Sequence, residues 1–143
     1  MILDLPKTNE RRKSPRHDVN LAVDIVQENG NILTVNTRNI SSKGLQIVCD
    51  SWVANALEPR GIQSHNVSHL RFKIVAELSI SDKTQKLYAN CRIMSVHRLS
   101  QDEFILCISF IGYENGSKSV LDKYMKKHVN TNIIHKGVVS EFQ

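Results

Sequence analysis

Near the start of the chain, four cations fall within six positions, in the stretch Glu10-Arg11-Arg12-Lys13-Ser14-Pro15-Arg16-His17. Arginine carries a flat, permanently charged fork of N–H donors. That fork matches phosphate oxygens and the O6/N7 edge of guanine, and it stacks on a purine face. Arg12 and Arg16 stand four apart and would share a face on a helical turn. Pro15 opposes this, because it fixes its own φ and disfavours helix at Ser14. The spacing therefore predicts an irregular, flexible hook, with Arg11, Arg12 and Arg16 reaching in different directions. Charge alone would fit a solvated lead-in to a domain equally well.

A second polar stretch follows, Asn39-Ile40-Ser41-Ser42-Lys43-Gly44. Asn39 and Ser41 are suited to bonding their own backbone in a tight turn, or to pointing outward as donors and acceptors. Gly44 permits a positive φ or a close backbone approach to a ligand. By itself the stretch reads as a turn between two strands.

Together, in this order and about a strand pair apart, the two stretches resemble something specific. Arg12-x-x-x-Arg16 followed by Asn39-x-Ser41-x-x-Gly44 is similar to the paired signature of the PilZ domain, a bacterial receptor for cyclic di-GMP, whose motifs are RxxxR and (D/N)xSxxG. Every defining position is filled, and the resemblance covers residues 10 to about 128. It implies a small Greek-key β-barrel. It also implies that Arg12 and Arg16 grip phosphates and guanine edges, while Asn39, Ser41 and the Gly44 turn contact the other guanine and the backbone. In PilZ proteins an arginine directly before the first motif, as Arg11 is here, goes with two intercalated ligand molecules rather than one. Arg38, Lys43 and Arg92 are auxiliary candidates on neighbourhood alone.

Composition narrows the alternatives. The chain has 143 residues, 41% of them hydrophobic and 23% charged, which suits one domain with its own core. The net charge is +5, and residues 10–17 alone carry +3. Such a local excess favours a focused anion site over a broad nucleic-acid face. Aromatic residues are only 6% and fall mostly at apparent core positions, against a single-stranded nucleic-acid surface. Cys49, Cys91 and Cys107 show no CxxC spacing and read as small buried hydrophobes in a reducing cytosol. His65 and His69 have helical metal-ligand spacing, but no helix is evident there, so they read as loop residues. No nucleophile, zinc-protease, P-loop or dinucleotide motif is present, so no catalytic or metal-binding residue is assigned.

The elements that must position the two motifs are mostly strands. Val19, Leu21, Val23 and Ile25 alternate with polar residues, and Asn29-Gly30 is a strong hairpin signal before a return strand over Ile32–Arg38. Leu45–Cys49 reads as a third strand, so the second motif is a strand-to-strand loop. Residues 50–68 are hard to read, beyond one or two helical turns capped by Ser51. Leu70–Ile80 alternates cleanly, Ser81–Thr84 turns the chain, and the alternation resumes at Leu87 and shifts by one at Met94, which predicts a bulge near Ile93. Leu99–Asp102 turns again. Phe104–Ile111 is apolar nearly throughout, as in a strand buried on both faces. Gly116 and Ser117 open a helix whose stripe is Val120, Leu121, Tyr124, Met125 and His128.

The fold expected is mainly β: a six-stranded antiparallel barrel with a C-terminal helix. Residues 1–9 would be a flexible lead, 10–129 the domain and 130–143 a tail. The function expected is a cytoplasmic cyclic di-GMP receptor or adaptor, without membrane insertion or nucleic-acid binding, coupling messenger level to an effector protein. The alternative is a module of the same fold, in a pilus or motility apparatus, that does not bind the ligand.

Overall fold

The computed structural model describes the backbone of residues 15–142 and the side chains of residues 15–129. Seven strands and two helices follow one another: β1 (His17–Asp18), β2 (Ala22–Gln27), β3 (Ile32–Ile40), β4 (Gly44–Asp50), α1 (Ser51–Leu57), β5 (Phe72–Ile80), β6 (Lys83–Ser100), β7 (Glu103–Glu114) and α2 (Ser117–Phe142).

All pairings are antiparallel. The order runs β3-β2-β5-β6-β7-β4, and β4 returns to β3, so six strands close into a barrel. β2, β3 and β4 are successive neighbours, and the long connection after β4 brings β5 back beside β2, which is a Greek key. Alternation decides what goes inside. Val23, Ile25, Ile47, Ile74, Leu78, Leu87, Ile93 and Leu106 are almost fully buried, each contributing roughly 1.5–3 kcal/mol of transfer free energy.

The β2–β3 hairpin turns at Asn29-Gly30 as the sequence predicts. Gly30 has φ +90, and the Asn31 amide donates to Asn29 Oδ1 at 2.9 Å. The bulge predicted near Ile93 is present as a register shift between Ile93 and Ser95, with two more at Asn90/Cys91 and Arg98/Ser100. The flanking turns are tighter than expected, because β6 reaches from Lys83 to Ser100.

Three local expectations are corrected. Asp50, not Ser51, caps α1: its Oδ1 accepts from the Val53 amide at 2.9 Å, while the Ser51 amide donates to Asp102 Oδ1 at 3.0 Å. Phe104–Ile111 is not buried on both faces throughout, since Ile111 is exposed and Cys107, Ser109 and Phe110 are half-buried. The strand expected from Val19 through Ile25 begins only at Ala22, and Val19–Leu21 form a gap between β2 and the two-residue β1 ahead of it. Both strands lie on the same flank of β3, and buried Thr37 bridges the gap. Its Oγ1 donates to the Val19 carbonyl at 2.6 Å and accepts from the Leu21 amide at 2.9 Å, and its own amide donates to the Leu21 carbonyl at 2.8 Å. Those bonds satisfy the backbone where the ladder is interrupted.

α2 packs against β5, β6, β7 and β1 through buried Leu121, Tyr124 and Met125. Buried Ser117 starts it, and Ser117 Oγ accepts from the Tyr88 amide at 2.7 Å. The backbone of α2 continues beyond Asn130, where the sequence predicts a separate tail.

Candidate functional site

β1 brings Arg16, the last residue of the first motif, beside the second. His17 pairs with Ile40 and Asp18 with Asn39. One residue beyond that ladder on each side stand Arg16 and Ser41. Both line one cleft of about 210 Å³ together with Asn39, Lys43, Gly44 and Gln46. A wider, shallow hollow of about 710 Å³ opens over Arg16, Asp18, Arg38, Asn39 and Gln46. Its wall holds two guanidinium groups against one carboxylate. Arg11 and Arg12 lie outside the described residues.

The turn between β3 and β4 is held from three sides. Ser41 Oγ accepts from the amides of Lys43 (3.1 Å) and Gly44 (3.2 Å), and the Ser41 amide donates to the Gly44 carbonyl at 2.8 Å. The Tyr113 hydroxyl donates to the Ser42 carbonyl at 3.1 Å, and burial pushes that phenol's pKa up. The Phe110 amide donates to the Lys43 carbonyl at 2.9 Å. Ser41 is buried, so its hydroxyl shapes the turn.

Gly44 has a different reason to be glycine from the two that the sequence suggests. Its φ is not positive, and the backbone it approaches closely is β7: a Cβ there would collide with the Ile108 carbonyl oxygen and press on Ser109 Cα. The missing side chain lets β4 sit tightly on β7 beneath the cleft.

Asn39 is buried, and its Nδ2 donates to Gln46 Oε1 at 2.8 Å. Gln46 Nε2 in turn donates to Cys107 Sγ at 3.1 Å. The register explains the ladder. Asn39 faces Gln46 on β4, Gln46 faces Cys107 on β7, and Cys107 faces Ser95 on β6; the adjoining row runs Gly44, Ser109, Arg92. Gln46, Met94, Cys107 and Ser109 all line the cleft, and sequence reasoning missed all four. The available signal was Gln46's place two residues after Gly44, on the same face of a strand. Cys107 is half-buried in this wall, unlike Cys49 and Cys91, which are buried as expected with thiols pushed up to about 12 by desolvation.

Of the auxiliary candidates, Lys43 lines the cleft and Arg38 the shallow hollow, and both are exposed. Arg92 is not in either wall. It is half-buried directly across from Ser109, and its Nε is buried without a hydrogen-bond partner. His65 and His69 are exposed, and among the described residues no group of three or more His, Cys, Asp or Glu side chains converges. Among the same residues no helix is long and apolar enough to cross a membrane. Trp52 departs from the expected core placement of aromatics, being 71% exposed.

The profile of the PilZ domain matches residues 10–127. The chain belongs to the PilZ domain family. Solved structures agree on its fold. The Bacillus subtilis inhibitor of motility MotI/DgrA aligns with TM-score 0.62 at 16% identity, covering 86% of this chain and 51% of that one. The PilZ domain of YcgR from Escherichia coli, solved with c-di-GMP, aligns with TM-score 0.59 at 10% identity, covering 89% and 98%. PlzA of Borreliella burgdorferi, in complex with c-di-GMP, aligns with TM-score 0.53 at 9% identity, covering 94% and 57%. This PilZ domain thus spans about half the length of MotI/DgrA and nearly all of the YcgR domain. No curated protein matches the chain significantly.

Proposed function

We propose that this PilZ domain is a cyclic di-GMP receptor that couples the level of the messenger to a partner protein. One observation carries the reading: pairing of β1 with β3 sets Arg16 in the wall of one cleft with Asn39, Ser41 and Gly44. Two of the structural relatives were solved with c-di-GMP, which supports the choice of ligand.

In this reading Arg12 and Arg16 bind phosphate and guanine edges, and Asn39 contacts a base. Ser41 and Gly44 act by shaping the turn. Arg11 adds a third guanidinium and favours a second, intercalated ligand molecule. Four like charges in residues 11–16 repel one another, and the two phosphates of one ligand molecule offset half of that charge. The liganded stretch then offers a changed surface to a cytoplasmic effector.

Calorimetry with cyclic di-GMP tests this. The wild type gives saturable heat, and the stoichiometry separates one ligand molecule from two. Arg12→Ala and Arg16→Ala each lose about 1.5–3 kcal/mol per charged bond removed. Unchanged affinity in both variants would take the arginines out of the site. A silent wild type would leave the chain as an interaction module without ligand.

A further inference from the structure

We infer that Gln46 is a positioning residue that fixes which way the Asn39 amide presents itself, and thereby makes the site select guanine over adenine. The inference rests on the cyclic di-GMP reading and adds the determinant of base preference to it.

A carboxamide has a donor end and an acceptor end of nearly equal shape, and a half-turn about its last bond exchanges them. At a binding wall that exchange would reverse the hydrogen-bonding character offered to a ligand. Here it is opposed. Asn39 Nδ2 is committed to Gln46 Oε1 at 2.8 Å, and Gln46 is itself held by Nε2 donating to Cys107 Sγ at 3.1 Å. Both bonds run directly across the sheet between residues in register, so they need no unusual side-chain conformation. The donors of the ladder all point the same way, from Asn39 to Gln46 to Cys107.

What remains is the acceptor. Asn39 Oδ1 receives no hydrogen bond among the described residues, and Asn39 lines both the cleft and the shallow hollow. An oxygen with two lone pairs suits a base edge with two adjacent donors. Guanine has such an edge, N1–H beside N2–H₂. Adenine offers an acceptor at N1 and a single amino group at N6. Asn39 is only 7% exposed, so an unmatched group there is poorly compensated by water. Sites built on buried polar groups discriminate strongly for that reason.

Three proteins separate the outcomes: wild type, Gln46→Leu and Gln46→Glu, each titrated calorimetrically with cyclic di-GMP and with cyclic di-AMP. Thermal unfolding confirms that each is folded, with Gln46→Met as the second apolar variant if leucine is not tolerated. Gln46→Leu is expected to lose about tenfold in affinity for cyclic di-GMP and to narrow the preference over cyclic di-AMP. Gln46→Glu still accepts from Asn39 Nδ2. It binds more weakly through its charge yet keeps the preference. The ratio is therefore the readout that a merely structural role would not move. In parallel, the Asn39 side-chain amide protons should be protected from exchange in the wild type and in Gln46→Glu, and lose protection in Gln46→Leu.

An unchanged ratio in Gln46→Leu overturns the inference and leaves the receptor reading intact. A wild type silent to both dinucleotides ends the receptor reading. Unprotected Asn39 amide protons in the wild type overturn the ladder whatever the ligand.

Discussion

His17 stacks on His128, with ring centroids 4.3 Å apart and planes inclined by 21°. Tyr124 packs against both rings, at 5.7 Å from His17 and 4.3 Å from His128. The contact joins the root of the arginine stretch, one residue from Arg16, to α2. Burial lowers the pKa of His17 against the opposing pull of Asp18. Burial also lowers that of His128, helped by His17 and Lys127 and opposed by a backbone bond at Ser79. His128 Nε2 is buried without a hydrogen-bond partner.

The sign of the pH dependence follows. Both folded-state values lie below 6.5, so between them and 6.5 the unfolded chain binds more protons. Stability is complete above the unfolded value and declines as pH falls below it. Thermal midpoints measured from pH 7.5 to 5.5 should fall further in wild type than in His128→Phe, which keeps a ring in the stack but cannot be protonated. Parallel slopes would remove the histidine pair as the cause.

Thr37→Val tests the bridge across the β1–β2 break. The replacement keeps the shape and removes the hydroxyl that serves the Val19 carbonyl and the Leu21 amide. A loss of about 1–3 kcal/mol is expected, the cost of stranding buried polar groups, read from urea midpoints. Because β1 also sets Arg16 beside the turn, cyclic di-GMP affinity should drop in the same variant.

Gly44→Ala puts a methyl group against the Ile108 carbonyl. Overpacking against backbone should destabilise by about 1–3 kcal/mol. Amide exchange should quicken in β4 and β7 before β5. Gly30, at φ +90, has nothing within 4 Å of such a Cβ, so Gly30→Ala carries conformational strain without a collision. It should leave β4–β7 protection unchanged.

Arg16 and Arg38 differ in what they line, and their variants should differ too. Arg38→Ala removes an exposed charge at the shallow hollow and should cost under about 1 kcal/mol of ligand affinity. That cost should vanish at high salt as the charge is screened. Arg16→Ala removes an exposed group shared by both hollows, and its cost should be the larger of the two at every salt concentration, shrinking as salt rises. Equal losses for the two would contradict this division.

Much of the barrel was legible because each local signal was complete in itself. The alternation of Phe72, Ile74, Ala76 and Leu78 needs no knowledge of a partner strand, nor does Asn29-Gly30 as a hairpin turn. The break between β1 and β2 was not legible, because Val19 and Leu21 keep the period of Val23 and Ile25. What divides them is Thr37, from the neighbouring strand. The site divides in the same way. Arg16, Asn39, Ser41 and Gly44 form recognisable local patterns. The reason for Gly44 lies at Ile108, and the places of Gln46, Cys107 and Ser109 depend on a register spanning three strands. At α1 the sequence places two capping side chains in succession; Asp50 takes the role by accepting from the Val53 amide, and the Ser51 amide donates to Asp102.

Closure of the ring through β3 and β4 also governs how copies of this domain can meet. Each of the six long strands has its hydrogen-bonding groups taken on both flanks over its central residues. The strand with one neighbour, β1, is two residues long and has Tyr124 and His128 of α2 beside it. Intermolecular sheet extension is therefore confined, among the described residues, to stretches such as Arg92–Ser100 of β6, which pairs with β7 alone.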